Sequence, residues 1–334
     1  MGRALRFSVG IPAYNQGEFL EATILSLLNQ TRPPDEIVIS DHYSSDNTPE
    51  IIAKYAAHVR AVKPPQGVNL TAQYNFTLSS QSGDWITLLS SDDVARPRFC
   101  EALCAGAGSR DDAVLVRAGW ENIDADDAVV SSEYLLSVPK VEQPPATLLS
   151  QKNGPKVGFA AFAIRREAYL RSGPILASLE SLADWALFVQ MAPFGSFVYA
   201  NEILSGYRVG HGGNKFRKRV GMWVRDEARM FGEVFPLAAT RCGMKSAEER
   251  AWIGQASRAN FLRYLAAASD EFPAEERAEI APLFEDWAEQ TGNQRTLHSF
   301  AAGDRIRDPV GLTQKAKRIL RPVAQNLVAQ LHRR

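Results

Sequence analysis

The sequence predicts an α/β fold with a mostly parallel central sheet that is flanked by helices and followed by a helical C-terminal extension. Short apolar runs alternate with helical segments four times before Asp93. Acidic residues stand at the ends of two of these runs, and from about residue 220 the composition changes to helix formers. We therefore expect an α/β domain over 1–220 and a helical region over 221–334.

The alternation begins with the run RFSVGIPA at residues 6–13, which suits a buried strand. A helix follows over 18–29, and Pro33-Pro34 ends it. The remaining elements of the alternation are strand EIVISD, a helix after SSDNT, strand VRAVKPP, helix NLTAQYNFTLSSQ closed by Gly83, and strand DWITLLSSDD. Ligands of parallel sheets bind at the carboxyl ends of strands, where Asp41, Asp92 and Asp93 are placed by this pattern.

The second half of the chain gives weaker signals. It predicts strands at 114–119 and 158–166, a helix at 182–195, a strand pair or a strand and turn at 196–209, a glycine-rich basic loop at 210–219, and helices at 223–235, 247–269 and 274–289.

Composition excludes several classes of protein. Lys+Arg and Asp+Glu both number 38, so no net charge draws in nucleic acid, and we expect no nucleic-acid partner. The three cysteines do not form a disulfide framework by number or spacing. No run reaches the ~20 apolar residues of a spanning helix, which predicts a cytoplasmic protein.

The C-terminal segment combines basic residues with leucines and valines at helical spacing. Such a segment suits either an ordinary packing helix or a peripheral contact with anionic lipid at the inner face of the membrane.

The adjacent acids Asp92 and Asp93 indicate a divalent metal site. Two neighbouring carboxylates repel each other unless a cation or a hydrogen-bond donor lies nearby. Mg²⁺ and Mn²⁺ commonly bridge a protein carboxylate to phosphate oxygens, so Mn²⁺ or Mg²⁺ is the expected cofactor. Asp41 and Asp184 stand alone, and each is a candidate either for chemistry or for capping a helix.

The segment SVGIPAYNQGEFLEATILSLLNQTRPPDEIVISDHYSSDNT resembles the opening of family 2 glycosyltransferases, which have the GT-A fold. It contains counterparts of I-P-x-Y-N, of a helix leading into Q-T, and of D-D-G-S-x-D-x-T, in that order. The family's D-x-D-D corresponds to Ser90-Ser91-Asp92-Asp93, its acid before a later helix to Asp184, and its Y-R tail to Tyr207-Arg208. The resemblance covers about residues 5–215.

The resemblance implies an inverting transfer of a sugar from a nucleotide-diphosphate donor, expected to be a UDP-sugar. The acceptor would be a hydroxyl of a saccharide or lipid-linked acceptor, in the synthesis of a cell-surface polysaccharide or glycan. It implies these donor-binding residues: Pro12, Ala13, Tyr14, Asn15, Asp41, Ser90, Ser91 and Asp92.

Further roles are also implied by the resemblance. Tyr14 would stack on the base, and Asp41 would accept a hydrogen bond from it. Asp92 would ligate the metal, with His211 as a second candidate ligand, and Asp184 would act as the general base. The residues expected near the acceptor or in a lid are Trp185, Arg208, Lys215 and Arg217. Two alternatives stay open here: Trp185 belongs to the core, or the basic loop is a solvated surface turn.

The sequence departs from the family pattern at several positions. Ser90 replaces an acid, His42 and Tyr43 replace D-G, and Tyr74 stands where many members carry arginine. Two alternatives stay open: a nucleotidyltransferase, and a catalytically inactive nucleotide-sugar-binding module. The first normally has a glycine-rich, lysine-bearing loop after its first strand, which IPAYNQGEF lacks; turnover of a nucleotide-sugar separates an enzyme from the second.

Overall fold

The computed structural model describes residues 5–133, 140–154, 159–210 and 215–307, with side chains in the last range described from residue 220 onward. The chain divides into two compact units, Met1–Val209 and Gly210–Arg334. This division lies ahead of residue 220, where the change in composition placed the predicted boundary.

The first unit begins with the strand–helix alternation that the sequence predicts. Its elements are β1 (Phe7–Ala13), α1 (Gly17–Leu28), β2 (Glu36–Asp41), α2 (Thr48–Lys54), β3 (Arg60–Val62), α3 (Leu70–Ser79) and β4 (Trp85–Leu88). Every residue of β1 and β4 is buried, as expected for strands covered on both faces. The prediction that Gly83 closes α3 is wrong, because α3 ends at Ser79. A Cβ at Gly83 would lie 2.7 Å from Ser8 Oγ, so glycine allows the close approach to β1.

The first unit continues with shorter elements around the sheet. These are β5 (Val94–Ala95), α4 (Phe99–Gly108), β6 (Ala113–Ile123), β7 (Val129–Glu133), β8 (Val141–Glu142), α5 (Ala146–Leu149), β9 (Phe162–Arg165), α6 (Arg166–Ser172), α7 (Ala183–Met191) and β10 (Ser196–Arg208). The segment predicted as a strand pair is the one long strand β10. Its register against β6 shifts between Ala200 and Ile203, so the polar residues there lie at an irregularity rather than in a turn.

The sheet has the strand order β3-β2-β1-β4-β9-β6-β10-β5. Strands β1 to β4 pair in parallel, whereas β9 is antiparallel to both β4 and β6. The α/β sheet with flanking helices is confirmed, and β6 and β10 form a further parallel pair on the far side of the antiparallel β9. The carboxyl ends of β1, β2, β3 and β4 lie at one edge, where the predicted site residues lie.

The second unit is helical where the structure describes it. Its helices are α8 (Lys215–Arg229), α9 (Phe235–Arg241), α10 (Ser246–Glu271), α11 (Ala274–Ile280), α12 (Glu285–Thr291) and α13 (Gln294–Ala301). Its core contains Trp287, which is fully buried, packs edge-on against Phe261 and donates its Nε1–H to Ser257 Oγ at 2.6 Å. An aromatic core of this kind explains the stability of helices whose sequence shows little amphipathic contrast.

No helix among the described residues is long and apolar enough to span a bilayer. The basic segment from residue 315, predicted as a packing helix or a membrane contact, lies outside the described residues.

Candidate active site

The predicted donor residues at the start of the chain lie side by side at the strand ends. In the β1–β2 register Pro12 pairs with Ser40, and Ala13 pairs with Asp41. Pro12 and Ala13 are buried within β1, and the next residue, Tyr14, leaves the sheet with its side chain 57% exposed. The residue after β1 therefore presents an aromatic ring to solvent, and β2 ends at Asp41 on the neighbouring strand.

Asp41 forms the polar end of a cavity of about 420 Å³. Its Oδ1 accepts a hydrogen bond from Ser44 N at 3.0 Å, and its Oδ2 lies 4.0 Å from Lys63 Nζ. The other residues that line the cavity are mostly apolar and come from α2 and the region of β3: Pro49, Ile52, Ala53, Ala56, Val59, Ala61 and Val62. An apolar cavity with one carboxylate and one ammonium group at its polar end suits a planar heterocycle with polar edges.

Lys63 was missed in the sequence, where the only available signal was a basic residue directly after the third strand. Three aromatic rings lie near one another after the ends of β1 and β2. The ring centroids of Tyr14 and His42 are 5.8 Å apart, and those of His42 and Tyr43 are 6.1 Å apart. The stacking surface is therefore larger than Tyr14 alone, and its extra members are residues that replace D-G of the family pattern.

Asn15 holds this loop region together. Its backbone N–H donates to Ser44 Oγ at 2.9 Å, and its Oδ1 accepts from Ser45 N at 2.8 Å. Asp46 makes a second tie by accepting from Gly17 N at 2.9 Å. These contacts fix the segment after β1 against the segment after β2, so they position Tyr14 and Asp41 relative to each other.

The two acids after β4 have different environments. Asp92 is half-buried, whereas Asp93 is fully buried and its Oδ1 accepts from Arg208 N at 2.9 Å. Burial, and next the neighbouring Asp92 charge, raise the pKa of Asp93 well above its ordinary value. Asp93 is thus a structural acid within the protein, and Asp92 is the member of the pair that is accessible to a ligand.

Arg208, predicted near the acceptor or in a lid, is instead buried in a structural role. Only 2% of it is exposed, and its Nε donates to the Asp92 carbonyl at 2.8 Å. Its Nη atoms donate to the carbonyls of Asp124 and Ala125 and to Asp127 Oδ1. A guanidinium held by these acceptors cannot move as a lid residue does, but it fixes the backbone that carries Asp92.

The serines that precede the acid pair also have structural contacts. The Ser90 side chain hydrogen-bonds Asp93, and the Ser90 carbonyl accepts from Asp93 N at 3.1 Å. The carbonyl of Ser91, which is 4% exposed, accepts from Thr23 Oγ1 at 3.0 Å. These bonds shape the loop that presents Asp92, while donor contact by either serine stays a prediction.

Asp184 lies in the first turn of α7 and is half-buried. Burial raises its pKa to about 6, although backbone N–H groups of Trp185 and of Asp184 itself donate to the carboxylate and oppose the shift. The N-cap position of α7 is Leu182 and makes no side-chain cap bond, whereas Asp184 Oδ1 accepts from Trp185 N at 2.7 Å in the first turn, so the role of Asp184 as a helix cap stays an alternative prediction. A carboxylate with a pKa near 6 is ionised at neutral pH and is a stronger base than an ordinary aspartate.

The charges of Asp184 and Asp92 both act on the hydroxyl group of Tyr74. Burial raises the pKa of Tyr74, and the negative charges of Asp184 and then Asp92 raise it further. Its ring packs edge-on against Phe159 at a centroid distance of 5.0 Å. The two acids predicted for the donor side and the acceptor side therefore lie near one tyrosine, although they are far apart in the sequence.

Trp185, predicted as a platform for the acceptor, is fully buried and donates its Nε1–H to the Gln151 carbonyl at 2.9 Å. A ring with no exposed face cannot stack on a sugar, so Trp185 belongs to the core. Lys215 and Arg217, predicted in a lid loop, lie instead at the start of helix α8, and their side chains are outside the described residues. His211, the second candidate metal ligand, is also outside them.

The residues at the end of β4 fit a metal that takes most of its ligands from a donor molecule. Within the described ranges, no three or more His, Cys, Asp or Glu side chains are grouped to hold an ion. Asp93 Oδ2 is buried and has no hydrogen-bond partner among the described residues, next to the accessible Asp92. Mg²⁺ and Mn²⁺ sites that use one or two carboxylates and substrate phosphates have this sparse protein contribution.

Solved structures share the fold of this chain. Staphylococcus aureus TarS superposes with a TM-score of 0.63 and 14% identity, over 90% of this chain and 53% of that one. Mannosyltransferase PcManGT of Pyrobaculum calidifontis, in complex with GDP-Man and Mn²⁺, gives a TM-score of 0.52 and 16% identity, over 90% of this chain and 86% of that one. These likenesses establish the GT-A fold.

Similar sequences are also known. Hyaluronan synthase of Pasteurella multocida is 28% identical over 219 residues, which are 64% of this chain and 21% of that protein. The S. aureus poly(ribitol-phosphate) β-N-acetylglucosaminyltransferase TarP is 34% identical over 123 residues, 35% of this chain and 37% of that protein. The chain thus spans about a fifth of the length of the first relative. Residues 8–172 match the family model for glycosyl transferase family 2. Residues 8–172 therefore belong to glycosyltransferase family 2, and the chain has the GT-A fold.

Proposed function

We propose that this protein is a glycosyltransferase that moves a sugar from a UDP-sugar to a hydroxyl of a saccharide or lipid-linked acceptor, with inversion, in the synthesis of a cell-surface polysaccharide. The observation that carries the proposal is that Asp92, in the loop after β4, and Asp184, at the start of α7, are both half-buried and that the charges of both raise the pKa of Tyr74. An accessible acid for the diphosphate and a basic carboxylate for the acceptor are the two groups that a direct displacement needs.

The donor end of the proposal rests on Asp41. A carboxylate that lies 4.0 Å from Lys63 Nζ at the end of an apolar cavity can accept a hydrogen bond from the imide N–H of uracil. The choice of uridine is supported by the TarS 1-349 structure in complex with UDP-GlcNAc, which shares the fold at a TM-score of 0.52. The Pyrobaculum enzyme is in complex with GDP-Man, so guanine is the alternative to uracil as the donor base.

The chain's own residues account for the transfer step. Asp184 accepts the proton of the acceptor hydroxyl while that oxygen attacks the anomeric carbon from the face opposite the diphosphate. The carbon–oxygen bond to the diphosphate breaks, and a single displacement inverts the anomeric centre. Arg208 keeps the backbone of Asp92 fixed through its bond to the Asp92 carbonyl. A divalent cation held by Asp92 would supply Lewis-acid stabilisation of the leaving diphosphate.

The class of acceptor is inferred from the relatives. Two that match this chain are named for the polymers hyaluronan and poly(ribitol-phosphate). A polymer under synthesis presents terminal hydroxyls, which have a high pKa and need a base such as Asp184.

A thermal-shift screen tests the proposal. Nucleoside diphosphates and their sugars are added with and without Mn²⁺, because ligands that bind the native state raise its melting temperature by mass action. We expect UDP and UDP-sugars to raise it only with metal present. A response to ATP that equals the response to UDP would contradict the proposed donor.

A further inference from the structure

Tyr43 has a backbone conformation that is unfavourable for its residue type. Its φ is +57°, in the left-handed region, where the Cβ atom of an L-residue crowds the backbone. Glycine adopts this region freely, and asparagine tolerates it, as Asn15 does at φ +49°. A tyrosine there persists only when its surroundings hold the backbone in place.

The surroundings of Tyr43 do hold its backbone. The residue after it, Ser44, donates its N–H to Asp41 Oδ1 at 3.0 Å, and its Oγ accepts from Asn15 N at 2.9 Å. Ser45 N then donates to Asn15 Oδ1 at 2.8 Å. The chain is thus fixed on the C-terminal side of Tyr43, and Asp41 fixes it on the other, so the strain is imposed by the loop that shapes the donor site.

Packing of the Tyr43 side chain into the core does not offset this backbone strain. The side chain is 43% exposed, and it faces Lys63, which lines the cavity at Asp41. Lys63 Nζ lies 5.3 Å from the centre of the Tyr43 ring and 4.0 Å from Asp41 Oδ2. The ring therefore holds the lysine ammonium group next to the carboxylate, and its edge continues the aromatic surface formed by Tyr14 and His42.

We propose that Tyr43 is a specificity-determining residue of the donor site, which keeps Lys63 beside Asp41 and forms part of the surface on which the nucleobase stacks. This inference rests on the proposed function, because it requires a nucleotide donor. Backbone strain that persists beside a ligand cavity, with an exposed side chain, is the pattern expected when a residue is retained for binding rather than for stability.

Tyr43→Gly tests the inference through two readouts that move in opposite directions. Relief of the strain should raise the melting temperature by roughly 1–4 °C. Loss of the ring should weaken UDP binding about tenfold by calorimetry in Mn²⁺, within the range typical of one base–aromatic contact. Inorganic pyrophosphate, which has no base, should bind the variant as it binds the wild type. Tyr43→Phe should restore most of the lost UDP affinity and reverse the gain in melting temperature.

Either of two results overturns the inference. Unchanged UDP affinity in Tyr43→Gly would show that the ring does not contact the base. A lower melting temperature would show that the ring supports the fold. Failure of the proposed function looks different, because the wild-type protein itself would then bind neither UDP nor pyrophosphate in Mn²⁺.

Discussion

Replacing Asp184 with asparagine should make the protein more stable and nearly inactive. Burial raises the pKa of Asp184 to about 6 from 3.8, so the folded state disfavours the ionised form. As pH rises from about 4 to 6, the unfolded chain releases this proton before the folded protein does, and stability falls. A shift of about two pKa units corresponds to about 3 kcal/mol, which is an upper bound for a half-buried group.

Asparagine has nearly the same shape and carries no charge, so Asp184→Asn removes this cost at neutral pH. We expect the variant to gain on the order of 1–3 kcal/mol of unfolding free energy at pH 7.5 and to match the wild type near pH 3.5. Urea unfolding at these two pH values measures the difference. If Asp184 were a simple helix cap, the variant would instead lose about 1 kcal/mol.

The same pKa sets the pH dependence of catalysis. A base must be ionised, and Asp184 with a pKa of about 6 is about one-tenth ionised at pH 5 and about nine-tenths at pH 7. The wild-type kcat should therefore rise about tenfold between these pH values. Asp184→Asn should lower kcat by roughly 10²–10⁴-fold while UDP and metal still bind. A variant with kcat within a few-fold of the wild type would refute the role of Asp184 as the base.

Three further substitutions separate donor binding from structure. Asp92→Asn should abolish metal-dependent UDP binding in a thermal-shift assay without lowering the melting temperature of the apoprotein; binding that survives excess chelator would contradict this. Asp41→Asn should weaken UDP binding by about 1–3 kcal/mol, because the amide still accepts from Ser44 but presents a donor to the base; equal affinity by calorimetry would remove Asp41 from base recognition. Arg208→Ala should destabilise the fold by about 2–4 kcal/mol in urea and also reduce UDP affinity, whereas normal affinity in the folded variant would show that Asp92 needs no such support.

The first half of the fold was predictable because its signals are local. Strands β1, β2 and β4 are short, buried, mainly apolar runs, and each is followed by a polar turn. This local pattern of residues is sufficient to identify each strand. The antiparallel strand β9 carries no such signal. Its direction is set by pairing with β4 and β6, which are distant in sequence.

The site was predictable where a residue's role follows from its place on a strand. Asp41 is the last residue of β2, as its position in the sequence indicates, and Asp92 lies in the loop that follows β4. Arg208 was assigned to the wrong environment, and the sequence left Trp185 open between the core and an acceptor platform, because nothing local shows that a polar or amphipathic side chain will be buried. Their partners, the Asp92 and Gln151 carbonyls, are brought to them only by the tertiary fold.

The raised pKa of Asp184 was also beyond local reasoning. The start of a helix, considered alone, predicts a lowered pKa, because the helix dipole and free N–H groups favour the carboxylate. Burial acts in the opposite direction and is the larger effect here, so the pKa rises to about 6.

Release of UDP from a UDP-sugar by the purified protein tests whether the protein is a metal-dependent glycosyltransferase with Asp184 as its base. The wild-type protein should release UDP in Mn²⁺, even slowly to water, and should stop in excess chelator. Asp184→Asn should bind the same donor and release UDP at least 100-fold more slowly with acceptor present. Absence of release from every nucleotide-sugar, with donor binding intact, would contradict the account and identify the chain as a binding module.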